Sequence, residues 1–428
     1  MRVKDSLADL RDSYLSPSFS LSYKNPLHIV RGKGQYLYDF EGIKYLDGIN
    51  NIQHVGHSHP KVIKAANTQF KLLNTNTRYL DETILNYARS LTKKLPKGLN
   101  KFFFTNSGSE SNDLALRLAR KYTNSLETIV LEGAYHGHLI SLIEISPYKY
   151  NGPGGDGPPD HVHPVPMPDP FRGKYRGPDS GPLYFEELNN ILKKLKSDQK
   201  NIASFISESV MGCGGQIFPP GDFLKASYDA IRFEGGLCIA DEVQIGFGRL
   251  GKCFWGFDLQ GLRPDIVTLG KSIGNGHPLS VVVTTSDIAE KFHNGMEYFN
   301  SFGGNPVSCA IGHAVLKIID EEELQQKALK VGGRLIEMLN ELKSKYDLIG
   351  DVRGEGLFIG IEIIKGKNSL TPSGSAARHI VEQMKENRIL LSTDGPDHNV
   401  IKIKPPMVFN DEDALFLVET LDKILLKY

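Results

Sequence analysis

The stretch Pro264-Asp265-Ile266-Val267-Thr268-Leu269-Gly270-Lys271 decides how the chain is read. Ile266, Val267 and Leu269 form a short apolar run bounded by Pro264 and Gly270, which suits an interior strand of a parallel sheet. Lys271 then falls just past the carboxyl end of that strand, where open α/β sheets hold their ligands. An amine in that place can form a Schiff base with an aldehyde and later act as a base. Taken alone, the same residues describe an ordinary surface lysine at a strand end. Gly270-Lys271-Ser272 also looks like the end of a phosphate-binding loop, but that spacing needs a glycine where Asp265 stands.

Upstream of Lys271, strand-like runs recur. Ala203 to Ser207 delivers Glu208, and Leu237 to Ala240 delivers Asp241 after a helix with Phe223, Leu224, Tyr228 and Ile231 on one face. Glu208, Asp241 and Lys271 are 33 and 30 positions apart, about one strand-helix unit each, so three polar residues end three strands along one edge. Lys101 to Thr105 is a further strand, followed by Asn106-Ser107-Gly108-Ser109 and a helix carrying Leu114, Ala115, Leu118 and Ala119. Ser107 and Glu110 have the spacing of a capping box. Free N–H groups at such a helix start suit a phosphate, although the same loop also serves as a plain cap. Strand Thr128 to Leu131 leads into Tyr135-His136-Gly137.

The 428 residues carry 50 basic and 50 acidic side chains, leaving no bulk field for nucleic acid or a membrane surface. No run approaches the roughly 18 apolar residues of a bilayer span. The start, Met1-Arg2-Val3-Lys4-Asp5-Ser6, is charged and lacks the apolar core of a secretory signal, so a cytoplasmic protein is expected. Cys213, Cys238, Cys253 and Cys309 are scattered and make no disulfide framework. His54, His57 and His59 are close together but lack a cysteine or an H-E-x-x-H frame, so no metal is assigned.

Three regions are expected. Residues 1–59, with a hairpin around Glu41-Gly42, pack with a small domain; residues 60–310 form the large ligand-binding domain; residues 311–428 form the smaller α+β C-terminal domain. Helices are expected near 60–73, 311–345, 374–387 and 410–427. Residues 151–182, rich in proline and glycine and carrying Arg172, Lys174 and Arg176, form a long irregular excursion whose cations order the loop or a subunit contact.

A phosphate cup, an aromatic face, a carboxylate and a lysine at the carboxyl ends of strands are the parts pyridoxal 5′-phosphate (PLP) needs. Asp241 suits the ring nitrogen, because an acid there keeps that nitrogen protonated and the ring electron-accepting. The chain resembles the class III PLP-dependent aminotransferases of fold type I over nearly its whole length. The matching motifs are Gly56-His57-Ser58-His59-Pro60, Asn106-Ser107-Gly108-Ser109-Glu110, Tyr135-His136-Gly137, Asp241 through Arg249, Gly270-Lys271 and Phe302-Gly303-Gly304-Asn305-Pro306. The resemblance implies an α/β fold with a mostly parallel sheet, and PLP held by Ser107, Gly108, Ser109, Tyr135, Glu208, Asp241, Val243, Gln244, Lys271 and Ser301. Lys271 would carry the aldehyde and act with Asp241 in catalysis, Tyr135 and Val243 would cover the two ring faces, and Gln244 would bond the ring hydroxyl. Ser301 stands where the family usually has a threonine supplied by the other subunit, implying a homodimer.

Several positions depart from the family pattern. Its usual Glu-Pro is Glu208-Ser209 here, and the arginine before the C-terminal Pro-Pro pair is Lys402. A lysine gives up the bidentate fork but suits a phosphate as a point charge. With Asn50-Asn51, Arg78, Ile145 to Lys149, Phe171 to Arg176 and Leu391 to Pro396, the chain looks like the ethanolamine-phosphate and phosphohydroxylysine phospho-lyase branch. That resemblance implies a lyase releasing phosphate and ammonia from a phosphorylated primary amine, with Asn51, Arg78 and Lys402 at the substrate. The alternative is an aminotransferase passing an amino group to pyruvate, glyoxylate or another oxo acid.

Overall fold

The structure, a computed structural model, describes residues 6–366 and 370–428. The charged opening, Met1 to Asp5, lies outside the described residues. A seven-stranded sheet organises the molecule: β1 (Lys101–Thr105), β2 (Glu127–Leu131), β3 (Val162–Val165), β4 (Ile202–Glu208), β5 (Leu237–Asp241), β6 (Ile266–Leu269) and β7 (Ser280–Thr284). In space they run β1-β7-β6-β5-β4-β2-β3. β7 is antiparallel to both its neighbours, and the other pairings are parallel.

Residues on successive strands are apolar on both faces, as a sheet covered by helices on each side requires. Ile206, Ile239, Ile266 and Val282 pack on one face with Leu114, Ala115 and Leu118 of the helix Gly108–Thr123. Their neighbours Phe205, Cys238, Val267, Val281 and Val283 point to the other face and join the main core with Phe223, Leu224 and Ile231.

Around this sheet lie two smaller ones. Ile349–Glu355, Phe358–Ile363, Val400–Ile403 and Ser392–Asp394 pair antiparallel in that order. Ile29–Lys33, Tyr36–Asp39 and Lys44–Asp47 form an antiparallel sheet, joined in parallel by Ile389–Leu390 from the far end of the chain. The expected turn at Glu41-Gly42 links two of those strands: the Asp39 carboxylate accepts from Glu41 N and Ile43 N, and Gly42 takes φ +84°.

Some elements differ from the sequence reading. The helix expected over 311–345 is two, Pro306–Glu321 and Leu324–Lys345, broken at Glu323, whose φ is +50°. The expected domain boundary at 310/311 falls inside the first of them. The helix from Pro60 stops at Phe70. The excursion 151–182 contains an unforeseen strand, β3, whose Pro164 is tolerated because β3 is the sheet's edge. Arg172 of that excursion pairs with Glu362 and Asp397, while Lys174 pairs with Glu187.

Candidate active site

Three strand ends meet at one edge of the large sheet. Glu208 and Asp241 close β4 and β5 as register partners, and Asp241 faces Thr268 of β6, three residues before Lys271. Lys271 has φ +39°, a left-handed backbone that a side chain rarely adopts and that costs on the order of 1 kcal/mol or more, a strain characteristic of functional positions.

Asp241 is buried and gripped from both sides. Its Oδ2 accepts from Asn112 Nδ2 at 2.8 Å and lies 2.9 Å from His136 Nδ1, while Oδ1 accepts from Val243 N at 3.1 Å. A carboxylate facing Nδ1 fixes a proton there; the other ring nitrogen, Nε2, is buried and has no hydrogen-bond partner among the described residues. Asn112 and His136 were not singled out in the sequence as site residues. His136 lies inside a quoted motif, but Asn112 sits within a helix and carried no signal.

The helix Gly108–Thr123 starts against this carboxylate. Ser107 Oγ accepts from Glu110 N at 3.2 Å, so the N–H groups of Gly108 and Ser109, which have no acceptor within the helix, remain for a ligand. The capping box expected from the sequence forms only by half, because the Glu110 carboxylate accepts from Asn106 N at 2.6 Å instead. Ser109 Oγ accepts from His138 N at 3.0 Å and so ties the Tyr135-His136-Gly137 loop to the helix start. A Cβ on Gly108 would lie 2.9 Å from Val243 Cγ1, and one on Gly270 would lie 3.2 Å from the same atom. Absent side chains at Gly108 and Gly270 thus let two backbones close around Val243.

Tyr135 is half-buried, edge-on to Tyr148, with ring centroids 6.2 Å apart. Burial, then Cys213 and Asp241, raise its phenol pKa. Glu208 accepts from Gly212 N at 3.1 Å; burial and the neighbouring Asp241 push its carboxyl up to about 8. The serine replacing the family's proline has a job in the structure: Ser209 Oγ donates to Glu242 Oε1 at 3.2 Å, beside the bonds that Gly256 N and Phe257 N give the same carboxylate. Burial nevertheless raises Glu242 to about 7.

Gln244 reaches toward Asn51, whose Nδ2 donates to its Oε1 at 3.3 Å. Lys402 Nζ lies 2.9 Å from Asp394 Oδ1, and Lys404 Nζ lies 3.2 Å from Asp394 Oδ2 and 3.4 Å from Gln244 Oε1. Lys404 and Asp394 were not assigned from sequence. The Lys-x-Lys spacing did hold a signal, since residues two apart on a strand share a face. Arg78 lies elsewhere, 57% exposed, 3.0 Å from Glu297 and stacked on Phe299 at 4.1 Å. Ser301 is exposed two residues after Phe299, on a loop whose Asn300 accepts from Asn106 Nδ2 at 3.0 Å.

The three close histidines do separate work. His54 bonds the Phe247 carbonyl and Arg249, His57 bonds Asp47, and His59 caps the helix Pro60–Phe70. Cys238 and Cys309 are buried free thiols, and Cys213 and Cys253 are free and partly covered.

Residues 19–425 match the family model described as aminotransferase class-III. A Drosophila melanogaster protein described as alanine–glyoxylate aminotransferase 2-like is 51% identical over 419 residues, covering 96% of this chain and 85% of its own. The Caenorhabditis elegans ethanolamine-phosphate phospho-lyase homolog 1 is 41% identical over 440 residues, covering 99% and 94%. Among solved structures, a phospholyase from Arthrobacter in complex with phosphoethanolamine superimposes with a TM-score of 0.93 at 36% identity, over 99% of this chain and 100% of that one. The chain belongs to the class III aminotransferase family, with its fold type I α/β architecture. Its cofactor is pyridoxal 5′-phosphate. The residues present fit that group: free N–H donors of Gly108 and Ser109, a gripped carboxylate, an aromatic ring, a strained lysine and a glycine-lined approach surround one edge.

Proposed function

We propose that this chain is a phospho-lyase that eliminates phosphate and ammonia from a phosphorylated primary amine such as ethanolamine phosphate, consuming water and leaving an aldehyde. The observation that carries this reading is the end-to-end likeness to a phospholyase holding phosphoethanolamine. Bound at the site, PLP supplies an electron sink for the bond-breaking steps.

The chain's own residues supply the rest. Lys271 takes the proton from the carbon beside the substrate amine, and Asp241, held by Asn112 and His136, keeps a proton on the ring nitrogen. Gly108 and Ser109 would bind the cofactor phosphate through their N–H groups, and Tyr135 and Val243 would cover the ring. Lys402 and Arg78 hold the substrate phosphate, each exchanging its present carboxylate, Asp394 or Glu297, for the departing oxygens. Asn51, bonded to Gln244, is assigned to the same substrate.

Arg78 and Ser301 belong to one exposed face that also carries Tyr79, Leu80, Met296, Phe299 and Phe302. Such a concentration of large apolar side chains supports a homodimer in which both residues serve the site of the other subunit. The same N–H cup and lysine suit an aminotransferase, and the 51% identity to the alanine–glyoxylate aminotransferase 2-like protein favours that as the second reading. Incubation with ethanolamine phosphate in the absence of any oxo acid separates the two. Free phosphate is expected; an inert mixture would overturn the lyase reading.

A further inference from the structure

One end of the Gln244 carboxamide faces two groups that can only donate. Asn51 Nδ2 lies 3.3 Å and Lys404 Nζ 3.4 Å from the same terminal atom, Oε1. An ammonium has no acceptor, so that atom has to be the oxygen, and the amide orientation follows from donor and acceptor inventory. The other end, Nε2, is 3.8 Å from Cys213 Sγ, and it approaches the backbone so closely that a Cβ on Gly212 would lie 2.8 Å from it. One of its two hydrogens remains to be given elsewhere.

Lys404 is itself held in place. It is 2% exposed, its amine packs 4.6 Å from the Phe358 ring centre, and Asp394 Oδ2 pairs with it at 3.2 Å. Gln216 Nε2 donates to the same Asp394 oxygen at 2.8 Å, and Lys402 takes the other oxygen. Next along the chain, the Pro405 carbonyl accepts from buried Arg249 at 2.7 Å. An ammonium buried and fixed at this depth is a built feature, and among the described residues it donates to Asp394 and to the uncharged Gln244.

We infer that Lys404 is a positioning residue which, with Asn51, holds the Gln244 oxygen so that the amide NH2 faces the cofactor's ring oxygen. A donor at that oxygen favours its ionised form, which absorbs at longer wavelength than the protonated form. Without the lysine the carboxamide can rotate and present its oxygen, opposing that ionisation.

The experiment measures PLP dissociation constants and the balance of the two absorption bands for Lys404→Met, Gln244→Leu and the double variant, with no substrate present. Lys404→Met is expected to weaken PLP binding by about tenfold, the scale of one hydrogen bond, and to move absorbance to the shorter-wavelength band. Gln244→Leu should do the same, and the double variant should match Gln244→Leu alone. Unchanged spectra in Lys404→Met, or effects that add in the double variant, would overturn the inference. If Lys404→Met does not fold, Asn51→Ala reports on the same orientation: a shift in the same direction that vanishes in the Gln244→Leu background supports it, and no shift overturns it. Because no substrate is present, failure here is distinct from failure of the phospho-lyase reading.

Discussion

Lys271 sits two residues past β6 on a left-handed backbone, and the neighbouring strand β5 ends in Asp241, a carboxylate that three donors already hold. Lys271→Ala is expected to be colourless and to lose the borohydride-reducible adduct with PLP if, as proposed, that amine closes the Schiff base; a surviving adduct would reassign the lysine. Glu208 provides a pH signature. Its carboxyl is raised from the ordinary 4.5 to about 8, mainly by burial and by Asp241, so the folded state binds a proton that the unfolded state gives up earlier. The contribution of Glu208 to the stability of the cofactor-free protein is therefore fully present below the ordinary carboxyl range and is lost as pH rises through 8, beside a smaller loss of the same sign from Glu242. Glu208→Gln should flatten that slope in denaturant titrations between pH 5 and 9, and an unchanged slope would show that Glu208 is not its source. At this scale the places of Asp241 and Glu208 at strand ends, and of Lys271 two residues past one, were legible from the apolar runs before them. His136 and Asn112 were not, because they come from a loop and a helix about a hundred or more positions earlier, and only tertiary packing brings them to Asp241.

Strands with β-branched runs and helices with clean apolar stripes were readable as elements, since burial on both faces leaves little choice of residue. The exceptions have physical causes. The edge strand β3 was hidden by Pro164 and its proline-rich surroundings, and the break at Glu323 leaves an apolar pattern that continues on either side. The start of the helix Gly108–Thr123 was visible as a cap, but its close fit to Val243 was not. Gly108→Ala should force Val243 away, weakening PLP binding by about tenfold, an effect of about 1.4 kcal/mol, and lowering the stability of the cofactor-free protein by about 1–3 kcal/mol. Isothermal titration checks this, and wild-type affinity would mean that Val243 yields without cost.

At the scale of the whole molecule, Arg78, Ser301, Leu80 and Phe302 are all exposed. If a second subunit covers them and Ser301 reaches that subunit's cofactor, dilution to monomers should release PLP in parallel, as followed by light scattering and cofactor fluorescence. Monomers that keep PLP at full affinity would separate assembly from binding. The departures from the family pattern also act at this scale. Lys402, which shares Asp394 with Lys404, stands where the resemblance puts an arginine fork, and on the proposed reading its point charge serves a phosphate.

Elimination and transamination begin with the same proton removal, which the proposal gives to Lys271, and differ in what leaves. The most direct measurement is a single reaction of the PLP-loaded protein with ethanolamine phosphate and pyruvate, quantifying phosphate, ammonia, acetaldehyde and alanine together. Phosphate, ammonia and acetaldehyde in equal amounts, with little alanine, are expected. Alanine accumulating while phosphate stays bound in the substrate would contradict the phospho-lyase reading and leave the aminotransferase in its place.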